Sequence, residues 1–417
     1  MVSLFPPLRD PNYGWWNFLV LVYCLMANIV GVYFMVQGVR SAESSYYIRY
    51  AYSLVGILLA AHGKVLSSYM VHEAAHANIY RNHVLGNRVV GIISLWIAGC
   101  PYCDFTHVKW MHMSHHNDRA DTVEFDYRTF VNSSSHPLIK SIIVALEYCF
   151  VPAVEIIMHV RTAIYPIVNN PYTNPQTFFK SLDPNRPTMI PNRNRFYSSL
   201  IGTCTMIVLY NYLYHNGIVL QYMISGAIVL QFLALNDAFH HTYESITMAE
   251  YTPGPGTRSM QYEEDNTYSN LVSLQYPILN TILSLNFGYH NAHHFKAMTP
   301  WYNLPTVHET LYGGGTSSGR SKDSNDEKTK SKSKTTMTPP VVVSGNNTSS
   351  SSSNKEGTVS YVNGQQILPY RNVMKSWYLH RIRRVVQDDY GTVGNDPNDP
   401  TRGDTFIGSL GVSFLTV

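Results

Sequence analysis

Cysteine is scarce in this 417-residue chain, and the five that occur form no set. Cys24, Cys100, Cys103, Cys149 and Cys204 are odd in number and lie mostly inside apolar runs. That excludes a disulfide framework and leaves no thiolate group to hold a metal. Cys100-Pro-Tyr-Cys103 has redox spacing, but its surroundings read as a buried helix end. Excess charge is missing too: a net charge of +3 is too small to imply a nucleic-acid partner. A cleavable leader is not expected, because the first apolar run is long and follows Pro6, Pro7 and Arg9 without a small-residue cleavage site.

Charge is also absent from four long stretches. Trp15 to Gln37 carries none, and Ala51 to Val71 is interrupted only by Lys64. Phe196 to Tyr214 and Gly217 to Asn236 are two more uncharged runs, joined by His215 and Asn216. At about 1.5 Å per residue each approaches or exceeds a hydrocarbon core of about 30 Å, so four transmembrane helices are expected. Three weaker runs, Val89 to Cys103, Ser141 to Met158 and Asn270 to Tyr289, are too short, too charged or too diluted, and read as interfacial or packed helices. The 31 tyrosines and 6 tryptophans suit membrane interfaces.

What the chain does have is histidine in clusters. Ten of its 18 histidines fall in HEAAH (His72, His76), HMSHH (His112, His115, His116), NDAFHH (His240, His241) and HNAHH (His290, His293, His294). Neutral imidazole is the commonest side-chain metal ligand, and this many exceeds the needs of one zinc. Without cysteine to match, the set suits a pair of oxygen-activating irons. With four spans, both termini and all four clusters fall on one side of the membrane. Eleven Lys and Arg between Ala77 and Arg195, against Arg40 and Arg49 between the first two spans, place that side in the cytosol.

Each cluster has chemistry in its spacing. His72 and His76 share one helix face and can grip one metal. HExxH is also the signature of zinc proteases, a reading that leaves seven further imidazoles unexplained. Glu73 is therefore taken as a partner that orients an imidazole. In both HxxHH repeats the adjacent histidines are turned about 100° apart and can serve different metals. Asn236 and His240 stand at i, i+4, which makes His240 the ninth ligand and Asn236 a weak ligand or water holder. His241 faces another way if the helix continues, so it joins Asp237 and Glu73 as a supporting candidate.

These residues resemble the membrane fatty acid desaturase and hydroxylase superfamily over roughly Ala51 to Pro300, in the boxes HxxxH, HxxHH and HxxHH. Asn236-Asp-Ala-Phe-His240 is similar to the ligand motif that ends the fourth span of acyl-CoA desaturases. The short first box is instead similar to acyl-lipid desaturases, carotenoid oxygenases and alkane hydroxylases. The resemblance implies an oxidoreductase with two irons, O₂ as co-substrate and a lipid substrate, in the endoplasmic reticulum. With no fused haem motif in the chain, electrons would come from an external donor of the cytochrome b5 or ferredoxin type. Desaturation of a fatty acyl chain is the expected outcome, with hydroxylation or ketolation of a lipid, alkane or isoprenoid as the alternative. A membrane zinc protease or a non-catalytic metal-binding protein is the remote alternative.

The expected fold is all-α and integral to the membrane, with a cytosolic helical cap holding the di-metal site. Residues 1–312 form the catalytic domain. Residues 313–357, with Lys328 to Lys334 alternating and Ser349 to Ser353 unbroken, form a disordered insertion that cannot bury enough apolar surface to order. Residues 358–417 form a C-terminal segment with a helix around Ile367 to Val386.

Overall fold

The computed structural model describes residues 13–41, 45–80, 83–123, 125, 127–132, 137–170, 172, 193–241, 243, 245–247, 259–312, 360–362, 365–367, 370–382 and 385. The insertion expected at 313–357 lies outside these residues, as do the first twelve.

The chain is an all-α integral membrane protein whose two longest helices, α1 (Tyr13–Arg40) and α2 (Tyr46–Ala75), form an antiparallel pair. Close approach is possible because small residues line the seam. A Cβ on Gly56 would stand 2.6 Å from the Gly31 carbonyl oxygen. In a bilayer, where apolar side chains gain little by leaving lipid, such backbone contact drives helix association. α1 leaves Phe18, Leu25 and Ile29 on its outer surface, whereas the second half of α2 is buried from Ala60 to Ala75 apart from the half-buried His62. α2 is thus the central post of the molecule.

α3 (Val84–Ala98) and α4 (Phe105–Asp118) follow, then α5 (Tyr127–Asn132), α6 (Pro137–Tyr148) and α7 (Ala153–Val168). α8 (Arg193–His215) and α9 (Val219–Asp237) return through the membrane region. Gly217, at φ 70°, makes the tight turn between them, closed by bonds from its own N–H to Tyr214 and from Ile218 N–H to Leu213. The short helices α10 (Met260–Asn266), α11 (Pro277–Ser284), α12 (His290–Phe295) and α13 (Leu304–Tyr312) complete the body, with α14 (Tyr370–His380) beyond.

Among the described residues, three helices are long and apolar enough to cross a membrane: Gly14–Arg40, Tyr46–Ala75 and Val219–Asp237. α8, expected as a fourth span, has 23 residues and exposes Ile207 and Val208, but Arg193, Arg195 and several Asn, Ser and Thr dilute it. None of the three weak runs makes a span-length helix. Val84–Ala98 has 15 residues, Val151-Pro152 splits the second run between α6 and α7, and only Pro277–Ser284 is helical in the third.

Two small sheets add to the helices. Strand β1 (Asp121–Val123) pairs in parallel with β2 (Ser245–Thr247), so the segments leaving HMSHH and NDAFHH are stitched together. β3 (Ser360–Val362) and β4 (Gln365–Ile367) form an antiparallel pair ahead of α14. α14 packs Val373 and Trp377 on Ala234, Leu235 and Phe239 at the end of α9. Arg381 then donates to the carbonyls of Glu147 and Tyr148, tying the C-terminal segment to the end of α6.

Candidate metal centre

α2 delivers the first two imidazoles. His72 lies in its last turn and His76 caps it, and the helix stops because Ala77 turns left-handed at φ 58° while Asn78 N–H bonds back to Glu73. The Asn78 amide then donates to the carbonyls of Ala297 and Thr299, at 3.3 and 3.2 Å, tying this corner to the chain that leaves the last histidine cluster.

α4 starts on Asp104, whose carboxylate accepts the Thr106 N–H, and ends where Arg119 adopts φ 51°. Within it His112 and His116 share a face and His115 points elsewhere. α12 repeats the spacing with the allotment reversed. Nine imidazoles therefore sort into two groups: His72, His76, His112, His116 and His293 in one, and His115, His241, His290 and His294 in the other. Each HxxHH box gives a pair to one group and a single residue to its neighbour.

The geometry inside the groups is that of a coordination shell. Nε2 atoms face one another at 2.7 Å (His76–His112), 3.2 Å (His112–His116), 3.2 Å (His116–His293) and 3.1 Å (His72–His293). In the second group His241 stands 2.9 Å from His115 and 2.7 Å from His290. A metal–imidazole bond of about 2.1 Å sets neighbouring donors at right angles about 3.0 Å apart. The two sets are adjacent, with the His116 and His294 rings stacked at 4.2 Å.

The protonation states agree. Burial first, and neighbouring imidazoles second, hold His112 and His116 well below the usual histidine range. The same causes act on His76, His241, His290, His293 and His294. Neutral rings keep the lone pair that a metal needs. His294 is the clearest case: Nδ1 meets Glu263 Oε1 at 3.0 Å while its buried Nε2 has no protein partner.

His241 stands where the sequence placed His240. α9 ends at Asp237, and the next N–H groups bond three residues back, Phe239 to Asn236 and His240 to Asp237. This tightening turns His241 inward, where its Nδ1 lies 3.3 Å from Thr267 Oγ1. His240 instead stacks on His290 at 4.0 Å, and its Nε2 lies 2.5 Å from Asn270 Oδ1. The Asn270 NH₂ donates to the Asn236 carbonyl at 3.3 Å, which turns its Oδ1 toward His240 Nε2. Burial takes the His240 pKa down to about 3, partly offset by Asn270. The Asn236 amide lies outside both groups and donates to the Phe232 carbonyl at 2.9 Å and to Tyr69 Oη at 3.4 Å.

Two carboxylates back the imidazoles. Glu73 Oε1 stands 3.4 Å from His72 Nδ1 and its Oε2 accepts the Trp301 N–H at 3.1 Å. Glu263 pairs with His294 and takes Arg119 Nε at 2.9 Å on its other oxygen. Asp237 closes α9. Sequence reasoning missed Glu263, Arg119, Thr267 and Asn270, because none has a periodic or motif signal and each acts across a fold contact.

The family model of fatty acid desaturases matches residues 49–319. No curated protein and no solved structure matches the chain. Because that match spans more than half of the 417 residues and takes in every one of the ten clustered histidines, the chain belongs to the fatty acid desaturase family.

Proposed function

We propose that this protein desaturates a lipid-borne fatty acyl chain at a di-iron centre, using O₂ and two electrons from a separate cytochrome b5 or ferredoxin type donor. Family membership supports a membrane oxidoreductase acting on lipids, and the clusters could hold metal. The observation that carries the finer reading is the division of nine imidazoles, without a thiolate, into adjacent groups of five and four. Iron suits imidazole-rich sites with exchangeable positions, whereas a structural zinc takes four ligands. Held there, two irons would supply the oxidising power to take hydrogen from an unactivated C–H bond.

The protein's own residues do the rest. His72, His76, His112, His116 and His293 would hold one ion, and His115, His241, His290 and His294 the other. Glu73, Glu263 and Thr267 fix ring orientations, as outer carboxylates and hydroxyls do around metal-bound imidazoles. Phe287 packs edge-on to His72 at 4.8 Å and against Tyr69 at 4.7 Å, an apolar wall beside the first group of imidazoles. Glu73 is engaged by Trp301 and His72, which argues against the free general base that an HExxH protease requires. The excess of Lys and Arg between Ala77 and Arg195 supports a cytosolic face for the centre.

Metal analysis and product mass spectrometry of the purified protein test this reading. Two irons per chain and a product lighter by two hydrogens are expected. A product heavier by one oxygen turns the reading to the hydroxylase alternative, and a single zinc ends it.

A further inference from the structure

Two helical turns below His72, about 12 Å along α2, Lys64 lies inside the membrane-spanning part of the chain with 3 % of its surface exposed. Its ammonium donates to Ser225 Oγ at 2.9 Å and sits 3.6 Å over the Tyr222 ring. No carboxylate pairs with it among the described residues. A buried cation without an anion is costly, and within a membrane such residues face a pathway or a ligand.

Lys64 lines a partly open cavity of about 310 Å³ between α2, α7, α8, α9 and the loop after α3. That volume falls in the range of small-molecule sites, about 300–1,000 Å³. The walls are mainly apolar, with Val160, Met206, Leu230 and Leu233 among them. Two further buried polar atoms on the same cavity lack partners: His159 Nε2 and Thr203 Oγ1. On the other side of the His159 ring, Tyr102 Oη is 2.7 Å and Cys100 Sγ 3.8 Å from Nδ1. With Tyr102 Oη donating to Nδ1, the neutral ring carries its proton on Nε2 and can offer it to the cavity. The cavity thus offers an ammonium, an imidazole N–H and a hydroxyl in an otherwise oily chamber. A Cβ built on Gly226 meets nothing within 4 Å, so α9 leaves room on this side.

We propose that this cavity binds a membrane-dissolved carboxylic acid amphiphile, its carboxylate on Lys64 with His159 and Thr203 and its chain along the apolar wall. Charge complementarity selects the occupant: a neutral ester or alcohol would leave the ammonium without its counter-ion. The site rests on the membrane placement of α2 and α9 and is independent of which metal the histidines hold.

Purified full-length protein in lipid nanodiscs, titrated with cis-parinaric acid and with its methyl ester against empty nanodiscs, tests this. The acid is expected to bind at least tenfold more tightly than the ester. Lys64→Met should bring the acid down to the ester's affinity, and Gly226→Leu, which fills the cavity, should abolish the binding of both. Equal affinity of the wild type for acid and ester overturns the proposal, as does undiminished acid binding in Gly226→Leu. The second variant keeps the test decisive if Lys64→Met fails to insert. Iron is measured on the same samples, so retained acid preference in protein lacking iron would sink the di-iron reading alone.

Discussion

The two imidazole groups are built differently. The five-histidine group takes four of its members from two helix ends, α2 and α4, where spacing alone sets the faces. The four-histidine group leans on irregular chain: His241 follows the tightened end of α9, and its supports, Thr267 and Glu263, come from the stretch around α10. Helical spacing sets most members of both groups, but the ninth ring, His241, is placed by tertiary contacts. The difference teaches that local pattern can foretell a ligand only where the helix runs on.

The largest effect is expected at the five-histidine group. His76→Ala or His112→Ala should reduce turnover more than 100-fold and lower bound iron while membrane insertion is retained, because a lost ligand exceeds the roughly 10- to 100-fold cost of outer-shell changes. Atomic absorption on the purified variants checks it, and wild-type turnover in either would break the assignment. The sharpest test of the comparison pairs two neighbours. His241→Ala should lose as much activity and metal as His112→Ala, whereas His240→Ala should keep both irons. The opposite ranking would return the ninth ligand to His240.

A smaller loss is expected from the supports. Glu263→Gln keeps the shape but weakens the hold on His294, for an expected drop of about 10- to 100-fold in activity or metal affinity. Glu73→Gln should fall in the same range. If the second group truly depends more on tertiary support, Glu263→Gln will release iron at lower chelator concentrations than Glu73→Gln does. The smallest effect is expected from deleting residues 315–355, whose only large apolar residues are Met337 and Val341 to Val343. Iron content should match wild type, and a normally expressed deletion that loses iron would show the segment to be part of the centre.

Much of the fold could be read in the chain because its signals are local. Apolar runs at Trp15 to Gln37, Ala51 to Val71 and Gly217 to Asn236 are long enough to declare themselves, and α1, α2 and α9 cover them. The helix expected around Ile367 to Val386 contains α14, shortened at both ends. The three-residue pairing of β1 with β2 had no signal, since Asp121 to Val123 and Ser245 to Thr247 are too short to show alternation. In the candidate centre the spacing of His112, His115 and His116 told which rings can diverge. It could not tell that α9 tightens after Asp237, where Tyr268 N–H reaches the His240 carbonyl at 2.8 Å, a contact between residues distant in sequence and adjacent only in space.

The reach of Arg381 back to the carbonyls of Glu147 and Tyr148 sets an order of events in biosynthesis. A ribosome releases α2, with His72, long before it makes His290 to His294, and it makes α14 later still. The early rings stand without His290, His293 and His294 until that stretch has been made. A metal shared by the full set would therefore load only after residue 290 has emerged. Docking of Trp377 and Arg381 on α9 and α6 follows later still, after every clustered histidine has been made.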